Sequence, residues 1–101
     1  MTVEIGEYAF NGPFKSTDSI KEKAGIYAVL HYKKGKCYLL DIGESSQIKK
    51  GIEEHDKKEW EKNSKGVIEY SVYYTPKLNE VDRKEIEAKI RAAYRPPCGN
   101  N

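Results

Sequence analysis

At 101 residues, 38% of them hydrophobic and 34% charged, the chain is sized for one domain around a single modest core. No apolar run approaches the ~20 residues needed to cross a bilayer, and Met1 to Glu7 lacks the basic and apolar stretches of a signal peptide. A net charge of +2, with acids and bases mixed along the chain, gives no strongly basic stripe of the kind that marks a nucleic-acid binder by charge alone.

Val3, Ile5, Tyr8 and Phe10 alternate loosely and predict a first short strand, which Asn11-Gly12-Pro13 ends as a turn. Ser16-Thr17-Asp18 is an N-cap cluster for one or two helical turns over Ile20 to Lys23. Two strands follow, Gly25 to Leu30 and Cys37 to Ile42, both rich in β-branched and aromatic residues. Lys33-Lys34-Gly35-Lys36 joins them as a turn. Beyond Glu44-Ser45-Ser46, the spacing of Ile48, Ile52, His55 and Trp60 predicts one helix over Gln47 to Lys62 with a serine N-cap. Gly51 in its middle is unexpected, since glycine there costs roughly 1 kcal/mol relative to alanine. Asn63 to Gly66 closes this helix, and Val67 to Thr75 reads as a third strand ended by Pro76. Asn79 caps a second long helix, Glu80 to Tyr94, with Ile86, Ile90, Ala93 and Tyr94 as its buried stripe. Residues 1–101 thus read as one α+β unit. Cys37 and Cys98 match no metal spacing and read as free thiols of a reducing cytoplasm.

Gly25-Ile26-Tyr27 on one strand and Asp41-Ile42-Gly43 at the end of the next resemble the two tripeptides of the GIY-YIG nuclease domain. Asp41 stands where that family's second tyrosine usually does. The resemblance extends over residues 25 to 100, because the order strand, strand, helix, strand, helix is that of the family. His55 matches its histidine position, Glu87 its glutamate, with Arg95-Pro96 downstream, and Asn100 its terminal asparagine. The arginine position, two helical turns past Gly43, is Gly51. Lys49 and Lys50 stand beside it, but helical neighbours point about 100° away.

The resemblance implies a small three-stranded, mostly antiparallel sheet flanked by helices, and hydrolysis of a DNA phosphodiester with Mg²⁺ or Mn²⁺. Glu87 would hold the metal, which acts as a Lewis acid on the phosphate. Tyr27 and His55 join the implied catalytic set and Asn100 the implied substrate contacts; Asp41 is a further catalytic candidate that departs from the family pattern, and Lys49, Lys50 and Arg91 are candidate phosphate contacts read from their charge. Each has a plainer reading. Tyr27 is also a core aromatic on a strand, and Glu87 is also a surface carboxylate on a charged helix. Asp41 is either a metal ligand or base, or a polar residue at a strand end. His55 either activates water or closes the helix stripe as a partly buried ring, and Asn100 either meets substrate or positions the chain end. An arginine would stabilise charge building on the phosphate, and losing such a stabiliser typically costs ~10²- to 10³-fold in rate. The alternative to a nuclease is therefore a degenerate domain of this fold that binds nucleic acid or protein without cutting.

Overall fold

The computed structural model describes residues 1–64 and 66–99. Its strands are β1 (Thr2–Ile5), β2 (Tyr8–Phe14), β3 (Gly25–Lys33), β4 (Lys36–Ser45) and β5 (Ile68–Tyr74), and its helices are α1 (Ile48–Glu54), α2 (Lys58–Asn63) and α3 (Glu80–Tyr94). The strands form a single antiparallel sheet in the order β1-β2-β5-β3-β4. The α+β class holds, but the sheet has five strands instead of three.

The additional strands come from the first fourteen residues. Their alternating apolar positions are divided by a turn at Gly6-Glu7 into a hairpin that pairs Thr2 with Asn11 and Ile5 with Tyr8. Asn11-Gly12-Pro13 does not end the second strand. It lies inside β2, where the pairing with β5 shifts register between Asn11 and Phe14. Such a bulge absorbs a proline that a regular ladder would reject. No helix forms over residues 20–23. That stretch turns instead, with Ile20 N–H donating to Thr17 carbonyl at 3.0 Å.

The β3–β4 hairpin closes with Lys33 opposite Lys36. Lys34 and Gly35 take φ of 52° and 78°, the double left-handed conformation of a type I′ turn, which follows the right-handed strand twist. Both strands are longer than expected, because the outer pairs run on through the charged flanks. Alternation then sorts β3 between two cores. Tyr27 and Val29 join Leu40, Val72, Ile48, Ile52 and Trp60 on one face. Ile26, Ala28 and Leu30 join Phe10, Ile42 and Ile90 on the other. Helices α1 and α2 therefore cover the Tyr27 face, and α3 covers the opposite one.

The expected helix over residues 47–62 is two helices. His55 is extended (φ −70°, ψ 141°), and Asp56 Oδ1 accepts from Lys58 N–H at 3.0 Å as the chain turns into α2. The break swings Trp60 inward to full burial. Serine does not cap α1. Ser45 Oγ accepts from Gln47 N–H at 3.0 Å, while the Glu22 carboxylate, from the preceding loop, accepts from Lys49 and Lys50 N–H at 2.9 and 3.1 Å. Those orphan helix donors are satisfied, with negative charge at the positive end of the dipole. Helix α3 matches its expected bounds, and Asn79 Oδ1 accepts from Asp82 N–H at 2.9 Å. Its buried face differs from expectation: Ala93 and Tyr94 are exposed, and Arg83 is buried alongside Ile90. Among the described residues, no helix is long and apolar enough to cross a membrane.

Candidate active site

Pairing of β3 with β4 sets Tyr27 directly opposite Gly43, so the two tripeptides meet across one ladder. The Tyr27 ring lies over Gly43 so closely that a Cβ there would stand 2.4 Å from the ring and its hydroxyl. Glycine is required at that position to seat the tyrosine, which is a steric demand and not a conformational one. Gly51 approaches the same ring from α1. A Cβ on it would lie 3.9 Å from the Tyr27 ring edge, but only 3.1 Å from Ser45 Cβ. Gly51 thus faces the tyrosine, and any side chain placed there must displace Ser45 by a few tenths of an ångström.

Burial pushes the Tyr27 phenol up to about 12, helped by the negative charges of Asp41 and Glu87. Tyr27 is therefore a neutral phenol near pH 7, able to orient a water by hydrogen bonding and not carrying a tyrosinate charge. Glu87 is half-buried on α3. Burial raises its carboxyl above the usual range against the lowering effect of Arg91, and Glu44 and Asp41 raise it further. The electrostatic coupling of Tyr27 with Glu87 is notable because α3 covers the opposite face of the sheet.

Asp41 lies on the edge strand β4 and is 2% exposed. Its Oδ2 accepts from Trp60 Nε1 at 2.7 Å, and His55 Nε2 lies 3.9 Å from the same oxygen. Its Oδ1 accepts from Ile42 N–H at 2.7 Å and from Arg91 Nη2 at 3.0 Å. Both oxygens are engaged, so Asp41 ties β4 to α2 and α3. His55 stacks on Trp60 with ring centroids 4.3 Å apart and an interplanar angle of 12°. Its Nδ1 lies 2.8 Å from the Asp56 carbonyl, which can only accept, so the proton sits on Nδ1. With one nitrogen toward Asp56 and the other toward Asp41, the ring takes the setting of a partly buried stacking partner.

Arg91 is equally engaged. Besides Asp41, its guanidinium donates to the carbonyls of Ile42 and Cys98, the latter at 2.8 Å, and Nη2 stands 3.6 Å from Glu87 Oε2. Lys49 and Lys50 flank Gly51 as expected. Lys49 is half-buried, while Lys50 is exposed and 4.0 Å from Glu54. Asn100 lies outside the described residues. Two site-forming residues escaped the sequence reading. Glu44 and the buried Arg83 pair at 2.9 Å, and Arg83 also donates to the Leu78 carbonyl at 3.0 Å. A signal for Arg83 exists in the i, i+4, i+8 spacing of Arg83, Glu87 and Arg91 beside Ile86 and Ile90.

Among the described residues, no group of three or more His, Cys, Asp or Glu side chains is arranged to hold a metal ion. Asp41 and Glu44 are committed to cationic partners, whereas Glu87 keeps 26% side-chain exposure. Glu87 itself lies 3.6 Å from Arg91 Nη2, so the carboxylates do not make an all-protein metal cage. A scan against protein-family models, a search of curated proteins and a search of solved structures each find no match.

Proposed function

We propose that this chain is a divergent GIY-YIG-type domain and a divalent-metal-dependent DNA endonuclease, slowed by glycine at its arginine position. The observation that carries the reading is convergence on Tyr27. Its ring rests on Gly43 of the second tripeptide, Gly51 faces it from α1, and Glu87 adds to the negative charge that raises its phenol. Glu87 would hold Mg²⁺ or Mn²⁺, which supplies Lewis acidity to the scissile phosphate. Tyr27, a neutral phenol, would orient the attacking water. Lys49 and Lys50 flank the place of the missing arginine and offer only point charges instead of a planar fork. Asp41 and His55 support the site from within through Trp60 and Arg91.

Cleavage of supercoiled plasmid and branched oligonucleotides with Mg²⁺ or Mn²⁺ tests this. Wild type is expected to cleave, Glu87→Ala to abolish cleavage, and Gly51→Arg to raise the rate by ~10²-fold or more. Gly51→Ala serves as the control for the Ser45 contact. Metal-independent cleavage, or cleavage that survives Glu87→Ala, would refute the assignment. The close Gly51–Ser45 approach favours one second reading, a non-cutting nucleic-acid- or protein-binding domain. It predicts silence from all variants, with salt-dependent DNA affinity indifferent to Mg²⁺.

A further inference from the structure

We infer that Arg91 is a positioning residue: anchored by Asp41, it holds the Glu87 carboxylate beside the β4 edge and does not meet substrate. This rests on the reading of Glu87 as the metal-bearing carboxylate. Helix α3 belongs to the opposite face, so its register against β4 decides whether Glu87 comes near Tyr27 at all. Two ion pairs set that register, one on each side of Glu87. One turn before it, Arg83 pairs with Glu44 at 2.9 Å. One turn after it, Arg91 pairs with Asp41 at 3.0 Å. Arg91 also spans to Glu87 at 3.6 Å, so the guanidinium is shared between a buried anchor and a half-buried carboxylate.

Nη2 also donates to the Ile42 carbonyl and Nη1 to the Cys98 carbonyl. Gly99 closes over the pair from outside. A Cβ on it would lie 2.5 Å from Asp41 Oδ1 and 3.0 Å from Arg91 Nη2, and its φ is +74°. Its N–H donates to Glu59 Oε1 at 3.1 Å, and Cys98 N–H donates to the Leu40 carbonyl at 3.1 Å. The chain after α3 is thus strapped across β4 and α2 over the Asp41–Arg91 pair. The Arg91 side chain keeps 22% exposure, but a phosphate would have to compete with its bonds to Asp41, Ile42 and Cys98 for Nη1 and Nη2. Lysine cannot replace Arg91, because one ammonium does not span the Asp41 carboxylate and the Cys98 carbonyl in a fixed plane.

The test compares wild type, Asp41→Asn and Arg91→Lys. Asp41→Asn keeps side-chain size and does not touch Glu87, but it strands the Arg91 charge and turns one accepting oxygen into a donor, so Trp60 fluorescence and circular dichroism first establish that the variant is folded. Three-bond NMR couplings of the Glu87 side chain, taken without metal, are expected to show one rotamer in wild type and averaging in both variants. Exposed Glu85 on the same helix is expected to average in all three. With cleavage active, Asp41→Asn is expected to lower kcat tenfold or more with KM within twofold. Glu87 couplings unchanged in Asp41→Asn, or already averaged in wild type, would overturn the inference, as would Arg91→Lys raising KM alone, the sign of a phosphate contact. A wild type that neither cleaves DNA nor binds Mn²⁺ would remove the nuclease reading, while the metal-free couplings still decide whether Arg91 positions Glu87.

Discussion

Replacing Arg91 by Met removes the cationic partner of a carboxylate that is 2% exposed. Breaking a buried ion pair from one side costs about 3–5 kcal/mol, because the remaining charge stays desolvated. Asp41 would keep its hydrogen bonds from Trp60 and Ile42 and the neighbouring His55, which places the expected loss near the lower end, about 3 kcal/mol. At about 4 to 8 °C per kcal/mol for a domain near this size, Tm falls by about 10 to 25 °C. Urea unfolding followed by fluorescence reads the same quantity, because Trp60 is the one tryptophan of the chain, is fully buried and donates to Asp41. Adding Asp41→Asn removes the stranded charge, so the double variant is expected to recover at least about 1 kcal/mol over Arg91→Met. A loss below about 1 kcal/mol, or strictly additive effects in the cycle, would refute the view that these residues form one buried unit.

Gly43→Ala places a methyl 2.4 Å from the Tyr27 ring; a destabilisation of about 1–3 kcal/mol by thermal melting is expected, with the ring displaced, and an unchanged Tm would contradict the close seating. Tyr27 titrates at about 12 when folded against 10.0 for the ordinary phenol, so the unfolded chain releases that proton first. Its contribution is fully present below pH 10 and lost as pH rises through 12, roughly 2 to 3 kcal/mol in all. Stability measured from pH 8 to 12 should therefore fall more steeply in wild type than in Tyr27→Phe. Cys37 is exposed and Cys98 buried, with burial, then Glu59 and Asp41, pushing the Cys98 thiol up to about 11. A thiol reagent at neutral pH is expected to modify Cys37 promptly and Cys98 only on unfolding; equal rates would mean that the strap over Asp41 opens freely.

Local rules carried much of the fold. The β3–β4 hairpin, β5 and α3 were legible because their signals lie within a few residues: β-branched runs around a Lys-Gly turn, Pro76 as a stop, and Asn79 as a cap. The Gly-Ile-Tyr and Asp-Ile-Gly tripeptides marked the residues that the ladder brings into opposition, and Gly43 was visible as a glycine without its reason being visible. What escaped depended on partners distant in sequence. Residues 8–14 form a strand through Asn11-Gly12-Pro13 because β5, more than fifty residues later, supplies a partner that tolerates the bulge. Helix α1 begins where it does because Glu22 satisfies its first donors, and α2 separates from it so that Trp60 can reach Asp41.

The candidate site divides in the same way. Sequence alone determined which residue types were present and spaced for chemistry, Tyr27, Asp41, His55, Glu87 and Arg91 among them. Only the tertiary structure decided that Asp41 has both oxygens engaged, that His55 sits between the Asp56 carbonyl and Asp41 and that Gly99 packs against the Asp41–Arg91 pair. A carboxylate's identity is local, but its freedom to act depends on which donors the rest of the chain brings to it. Here that is settled at the edge of β4, where α2, α3 and the segment after α3 close over one aspartate.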